Sequence, residues 1–390
     1  MSSVGLLGDT AGEERAAYIH IPFCRRRCPY CDFAVADLSA GAHDIDAYVN
    51  AVLAEIDLEP AWAPLHAVNL GGGTPSALEP VQIGRLVAAI EKRFGLMQGA
   101  EISIEANPED WDVDYASAVG EVGINRVSLG IQSFDPEVLG YLGRWHTPEQ
   151  AAAAFRAGRT AGIRSSNVDL IFGSPVESLE SWQATVASSL ALGPDHVSAY
   201  ALTVERGTAL SRAVHGGAVA PDDDDQADKY EYFAEAAAAD ARGLEHYEVS
   251  NWARPGHRCR YNETTWAHGE YVAFGLGAHG FRNGVRTRNV RRLDRYLETI
   301  AAGERPVVGT EALTGWERDR ERVFVGLRRR DGVRAGDAGR SLLESKEGKR
   351  LLAAGVLDYD GDRLLVTDPL LTDRVARELL ALDRGRRPAG

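Results

Sequence analysis

Between residues 16 and 205 the chain repeats one pattern, a short β-rich run followed by a segment with helical spacing. "AAYIHIPF" precedes "DIDAYVNAVLAEIDL", "AVNLGGG" precedes "EPVQIGRLVAAIEKRF", and "EISIEAN" precedes "VDYASAVGEV". "RVSLGIQS" with "PEQAAAAFRAGRTAG" and "NVDLIFG" with "SLESWQATVASSLALG" continue the series, and a sixth strand, "HVSAYALTVE", closes it. Such alternation requires parallel strands joined by right-handed crossovers, hence an α/β fold. Periodicity leaves two versions open, a doubly wound sheet and a barrel. In both, ligands gather at the carboxyl ends of the strands.

The residues with distinctive chemistry fall on that rim. Cys24, Cys28 and Cys31 follow the first strand, Gly71 to Thr74 the second, Glu105 and Asn107 the third, and Gln132 the fourth, while Asp169 lies on the fifth. Core packing does not account for this convergence, because packing residues are apolar. With four cysteines in 390 residues, three of them in CxxxCxxC spacing, a disulfide framework is excluded. A structural zinc site and an ordinary electron-transfer [4Fe–4S] cluster each take four ligands. Three thiolates instead leave one iron open to a substrate or cofactor, with Cys259 as the distant alternative for a fourth. The run Gly71 to Gly73 either lets backbone approach a ligand closely or makes a tight turn without one. Asp169 interrupts an apolar strand and is costly to bury without a partner.

Composition narrows the class. The chain is 44% hydrophobic and 26% charged, as expected of a globular protein. It has no apolar run of membrane-spanning length, and "MSSVGLLGDTAGEERAAY" lacks a basic region followed by an apolar core, so a cytoplasmic, non-spanning protein is expected. The net charge of −14 argues against nucleic acid as a partner. The run Asp222 to Asp225 reads as a helix N-terminus, where the dipole favours carboxylates, and not as a metal site. Toward the C-terminus "VRRLDRYLETIAAG" has helical spacing and "GERPVVG" reads as a linker. "WERDRERVFVGLR" and "KEGKRLLAAGVL" read as helices before a hairpin, "LDYDGDRLLVTD". The expected division is residues 1–300 for the barrel with an extension, and 301–390 for a small helical, winged-helix-like cap.

CxxxCxxC after the first strand resembles the signature of the radical S-adenosylmethionine (SAM) superfamily. Together with "NLGGGTPS", "IEANPE", "RVSLGIQSF", "VDLIFGSP", "HVSAYALTVERGTAL" and "YEVSNWARPG", the tract "YIHIPFCRRRCPYCDF" resembles the oxygen-independent coproporphyrinogen III oxidase family. More closely, it resembles the haem-chaperone branch of that family, the HemW type. The resemblance implies a partial (β/α)6 barrel with a [4Fe–4S] cluster on Cys24, Cys28 and Cys31. It also implies SAM held by Tyr18, Tyr30, Gly72, Gly73, Thr74, Glu105, Gln132, Arg144 and Asp169. Of these, Glu105 would meet the cofactor's ammonium, Gln132 its ribose and Arg144 its carboxylate; no catalytic residue is assigned. Phe33 stands where the decarboxylating oxidases resembled here carry a further cysteine, and the segment before Cys24 is short, which favours the chaperone branch. That branch binds haem and passes it to membrane haem proteins such as respiratory cytochromes. A radical enzyme acting on a porphyrinogen, a related methyltransferase and a non-catalytic metal-stabilised scaffold are the alternatives. The branch's HNxxYW motif is here "YNETTW", with Tyr261 for histidine and Thr265 for tyrosine, while Asn262 and Trp266 remain. Tyr261 is thus the candidate haem ligand, and His257, Cys259, His268 and His279 lie nearby in sequence.

Overall fold

A computed structural model of the protein describes residues 14–41 and 43–382. Six strands, β1 (Arg15–Ile21), β2 (Leu65–Gly72), β3 (Leu96–Ala106), β4 (Arg126–Gln132), β5 (Ser165–Phe172) and β6 (His196–Ala201), lie side by side in chain order, all parallel. A doubly wound sheet would reverse its order at a switch point. Here the order never reverses, so right-handed crossovers carry every connecting helix to one face, and the fold is the barrel version.

Those helices are α1 (Ile45–Leu58), α2 (Pro80–Phe94), α3 (Val113–Glu121), α4 (Pro148–Thr160) and α5 (Leu179–Ala191), with α6 (Asp223–Ala239) after β6. Local chemistry sets each of them, as α2 illustrates. Glu79 and Gln82 form its capping box, Pro80 occupies the first turn, Lys92 and Arg93 lie in the last turn, and Gly95 at φ +79° ends it. Its buried Ile83, Leu86, Val87, Ile90 and Phe94 form one apolar stripe that joins the core shared with the strands. The acidic run behaves as the sequence suggests, with Asp222 capping α6 by accepting from the Asp225 N–H at 2.9 Å.

The sheet continues past both ends of the barrel strands, and its two edges do not meet, so the barrel is partial. Beyond β6 lie β8 (Asn251–Ala253) and β7 (Glu245–Glu248). On the other side β9 (Glu270–Phe274) runs parallel to β1, followed by antiparallel β10 (His279–Arg282), β11 (Val285–Asn289) and β12 (Val307–Ala312). The "GERPVVG" stretch is therefore not merely a linker. From Val307 onward it is an edge strand, because the open side of β11 supplies hydrogen-bond partners that a short polar-flanked segment does not reveal on its own.

Between these strands lie α7 (Arg260–Trp266) and α8 (Leu293–Ala301). The remainder comprises α9 (Gly315–Gly326), α10 (Gly336–Glu344), α11 (Lys346–Ala353) and α12 (Thr372–Leu380) around a sheet of β13 (Val333–Arg334), β14 (Leu357–Tyr359) and β15 (Arg363–Val366). These elements bury their own core, with Val323, Leu342, Leu364, Val375 and Leu379 at its centre. The seam to the large sheet is polar. Val249 N–H donates to the Arg328 carbonyl at 3.0 Å, Arg330 N–H to that of Tyr247 at 3.0 Å, and Arg286 pairs with Glu321. Among the described residues no helix is long and apolar enough to cross a membrane.

Candidate functional site

Strand alternation gives the barrel two unlike faces. Val68, Leu70, Ile102, Ile104, Val127, Leu129, Val168 and Leu170 turn into the core shared with the helices. The intervening residues, Asn69, Ser103, Glu105, Arg126, Ser128, Asn167, Asp169, His196 and Ser198, line a cavity of about 570 Å³. They satisfy one another: Asn167 Nδ2 donates to Asp169 Oδ1 at 2.7 Å, Ser128 Oγ to Asp169 Oδ2 at 2.8 Å, and Ser103 Oγ to Asn69 Oδ1 at 2.5 Å. His196 bridges Asn167 and the Tyr247 hydroxyl. Apart from Glu105 and Asp169, the sequence reading missed this lining. Its signal was polar residues at alternate positions, as in "RVS", "NVD" and "HVS".

The cysteine loop closes one side of the cavity mouth. Phe23–Cys24 pairs with Ala36–Asp37, and the Cys31 N–H bonds the Cys28 carbonyl at 3.2 Å. Each sulfur faces a donor: the Thr74 hydroxyl lies 3.5 Å from Cys24 Sγ, Arg144 Nη1 lies 3.7 Å from Cys28 Sγ, and the Phe33 backbone N–H serves Cys31. Burial pushes the Cys24 thiol up to about 11 and raises that of Cys31, and the neighbouring thiols add to both shifts. Donors aimed at all three sulfurs suit thiolates on a metal cluster, whose ligands are held by such bonds. Among the described residues no three ligating groups are gathered tightly enough for a single ion. A cube ligated at separate corners needs its thiolates further apart than that.

The glycines serve close approach, and the first partner is the chain itself. Gly72 has φ +111°, and a Cβ there would collide with the His20 ring; at Gly71 it would meet the Glu105 carboxylate. The Gly72 N–H donates to Glu105 Oε2 at 3.0 Å. Burial above all, and then the charge of Asp169, pushes the Glu105 carboxyl up to about 7, an environment that a bound cation would reverse. Arg144, nearly buried, donates from Nη2 to Asn107 Oδ1 at 2.7 Å and to the Gly130 carbonyl at 2.9 Å, while its buried Nε has no protein partner. That orphaned donor fits a ligand carboxylate. Gln132 sits at φ +68° where β4 slips register against β5, a left-handed conformation uncommon for glutamine.

Of the residues singled out from the sequence, Cys24, Cys28, Tyr30, Cys31, Gly72, Gly73, Thr74, Glu105, Gln132, Arg144 and Asp169 line this one cavity. Tyr18 and Tyr261 lie outside its lining. Their rings stack at 5.7 Å, the Tyr18 hydroxyl is 3.2 Å from His20 Nδ1, and Tyr271 packs edge-on against Tyr261. Cys259 and Asn262 reach the cavity, whereas His268 turns toward Glu321 and His279 lies exposed on β10.

The comparisons agree with this geometry. Residues 18–188 match the model of the radical SAM superfamily. The haem chaperone HemW of Mycobacterium tuberculosis is 41% identical over 381 residues, which is 96% of this chain and 97% of that protein. The chain belongs to the HemW haem-chaperone family. HemW of Bacillus subtilis is 33% identical, over 82% of this chain and 84% of its own. The solved structure of coproporphyrinogen III oxidase (HemN) of Escherichia coli superposes with a TM-score of 0.76, covering 94% of this chain and 90% of that one at 22% identity. This chain and that oxidase thus share one fold. Radical SAM membership implies SAM and a [4Fe–4S] cluster, in agreement with the three-thiol loop.

Proposed function

We propose that this HemW-family chain is a cytoplasmic haem chaperone, binding haem and passing it to haem proteins, membrane-bound respiratory ones among them. The reading rests on the 41% identity to a HemW chaperone across nearly the whole of both chains. Cys24, Cys28 and Cys31 would hold the [4Fe–4S] cluster. With three protein ligands, the cluster would leave one iron for the amino-acid end of SAM. Around that cofactor Glu105 would accept from the ammonium, the orphaned Arg144 Nε would donate to the carboxylate, and Gln132, Tyr30, Thr74, Asp169 and the Gly72–Gly73 backbone would shape the pocket. Tyr18 would act from behind this shell, through His20. Tyr261 is proposed as the haem ligand by its position in the family motif, and its packing between Tyr18 and Tyr271 means that ligation there requires α7 to move. The expected division into residues 1–300 and 301–390 is also proposed, the second part lending β12 to the large sheet.

The test is anaerobic reconstitution followed by titration with haem, ferric and ferrous, and separately with coproporphyrinogen III. The chaperone reading expects saturable haem binding at low micromolar concentration, weakened in Tyr261→Phe and restored or raised in Tyr261→His. Unchanged binding in Tyr261→Phe moves the ligand to another side chain. Wild type without haem binding but consuming coproporphyrinogen III would establish the radical-enzyme alternative.

A further inference from the structure

Three side chains, Arg144, Asn107 and Thr74, join two of the cluster cysteines in a continuous arc. Arg144 Nη1 lies 3.7 Å from Cys28 Sγ, and Arg144 Nη2 donates to Asn107 Oδ1 at 2.7 Å. Asn107 Nδ2 donates to Thr74 Oγ1 at 3.1 Å, and Thr74 Oγ1 donates to Cys24 Sγ at 3.5 Å. The arc has a direction. Because the Asn107 amide fills the acceptor side of the Thr74 hydroxyl, the hydroxyl proton is left for the sulfur. On its other side the amide oxygen holds the guanidinium fork against Cys28. Asn107 touches no sulfur itself, yet it orients two side chains that do, Arg144 and Thr74. Its own place is secured at the end of β3, where its backbone N–H donates to Ser76 Oγ at 3.2 Å and Pro108 opens a short 3-10 turn.

We propose that Asn107 is a positioning residue that sets the reduction potential of the cluster by aiming Arg144 and Thr74 at Cys28 and Cys24. This rests on the three-cysteine cluster proposed above. Hydrogen bonds and positive charge at cluster sulfurs stabilise the reduced state, which carries the extra negative charge, and so raise the potential. Asparagine suits the position because it donates on one side and accepts on the other. Aspartate, of the same shape, can only accept. It would keep Arg144 but draw the Thr74 proton away from Cys24 and add a negative charge.

The experiment is an EPR-monitored redox titration of the reconstituted full-length protein without SAM, comparing wild type with Asn107→Ala, Asn107→Asp and Thr74→Val. Asn107→Ala and Thr74→Val should each lower the midpoint, and Asn107→Asp should lower it furthest. A tenfold change in the oxidised-to-reduced ratio at fixed potential corresponds to about 59 mV for one electron, and a shift of that order is expected for Asn107→Asp. The double variant Asn107→Ala/Thr74→Val should shift by less than the sum of its parts, since both cut one arc. Midpoints of both Asn107 variants equal to wild type overturn the proposal. If Asn107→Ala binds no iron, Asn107→Asp decides alone, and if neither does, an unshifted Thr74→Val overturns the arc while a lowered one supports it. A wild type that takes up no cluster overturns both this inference and the reading beneath it, whereas a cluster with an immovable potential overturns this inference only.

Discussion

Glu105 lies where burial, the Asp169 charge and the Gly72 N–H meet, and its carboxyl is raised to about 7. Pairing with an ammonium requires the ionised form, so cofactor binding should release a proton. Affinity for SAM should therefore fall as pH drops below about 7 and level off above it. Calorimetry in buffers of different ionisation enthalpy checks both points. Glu105→Gln should flatten the pH dependence and weaken binding on the order of tenfold, since charge-assisted hydrogen bonds contribute about 1.5–3 kcal/mol; unchanged affinity would remove Glu105 from the site. Among the cysteines, alanine at Cys24, Cys28 or Cys31 should abolish the iron–sulfur spectrum. Cys259→Ala should leave it intact, because that cysteine lies beside Glu101, Arg126 and Tyr247 and not in the loop that carries the other three. Loss of the spectrum in Cys259→Ala would replace the three-ligand reading with a closed, four-ligand one.

At the scale of elements, the turn after β2 and the helix α6 are the most sensitive. Gly72→Ala introduces a Cβ at φ +111° and against the His20 ring, so it should destabilise the protein by about 1–3 kcal/mol. Denaturant unfolding of Gly72→Ala against wild type measures it, and His20→Ala in the same background should recover only the steric part. On α6, Lys229 is wholly buried, donating from Nζ to the Glu177 carbonyl at 2.7 Å and to Asp225 at 2.6 Å, with Glu177 Oε2 at 3.5 Å. Lys229→Met leaves the buried Glu177 carboxylate uncompensated, and breaking such a pair costs about 3–5 kcal/mol. Burial already raises the Glu177 carboxyl to about 7. The loss should therefore shrink as pH falls below that value, where the neutral acid needs no cation; a loss independent of pH would show that packing, not charge, is at stake.

At the scale of the whole molecule, two apolar cores meet across a polar seam of backbone bonds, the Arg286–Glu321 pair and Arg328 over Trp266. Polar seams exchange for water more readily than apolar cores, so amides of α9 to α12 should lose hydrogen-exchange protection before those of β2 to β5. Glu321→Ala should widen that gap, and mass spectrometry of the exchanged protein reads it directly. The parallel strands, their helices and the positions of the three cysteines on the rim were legible in the sequence, because periodicity and punctuation are local properties of a chain. So were Asp169, as a charge in an apolar run, and Glu105, at the end of the third strand. What only the tertiary structure decided is which side chains meet. The choice of barrel over doubly wound sheet depends on strand order, β12 depends on a partner strand, and the polar barrel lining emerges when six alternating strands turn the same face inward. The Cys24–Thr74–Asn107–Arg144–Cys28 arc spans residues more than a hundred positions apart. Hydrogen bonds of that kind are set by distance in space, about which spacing along the chain is silent.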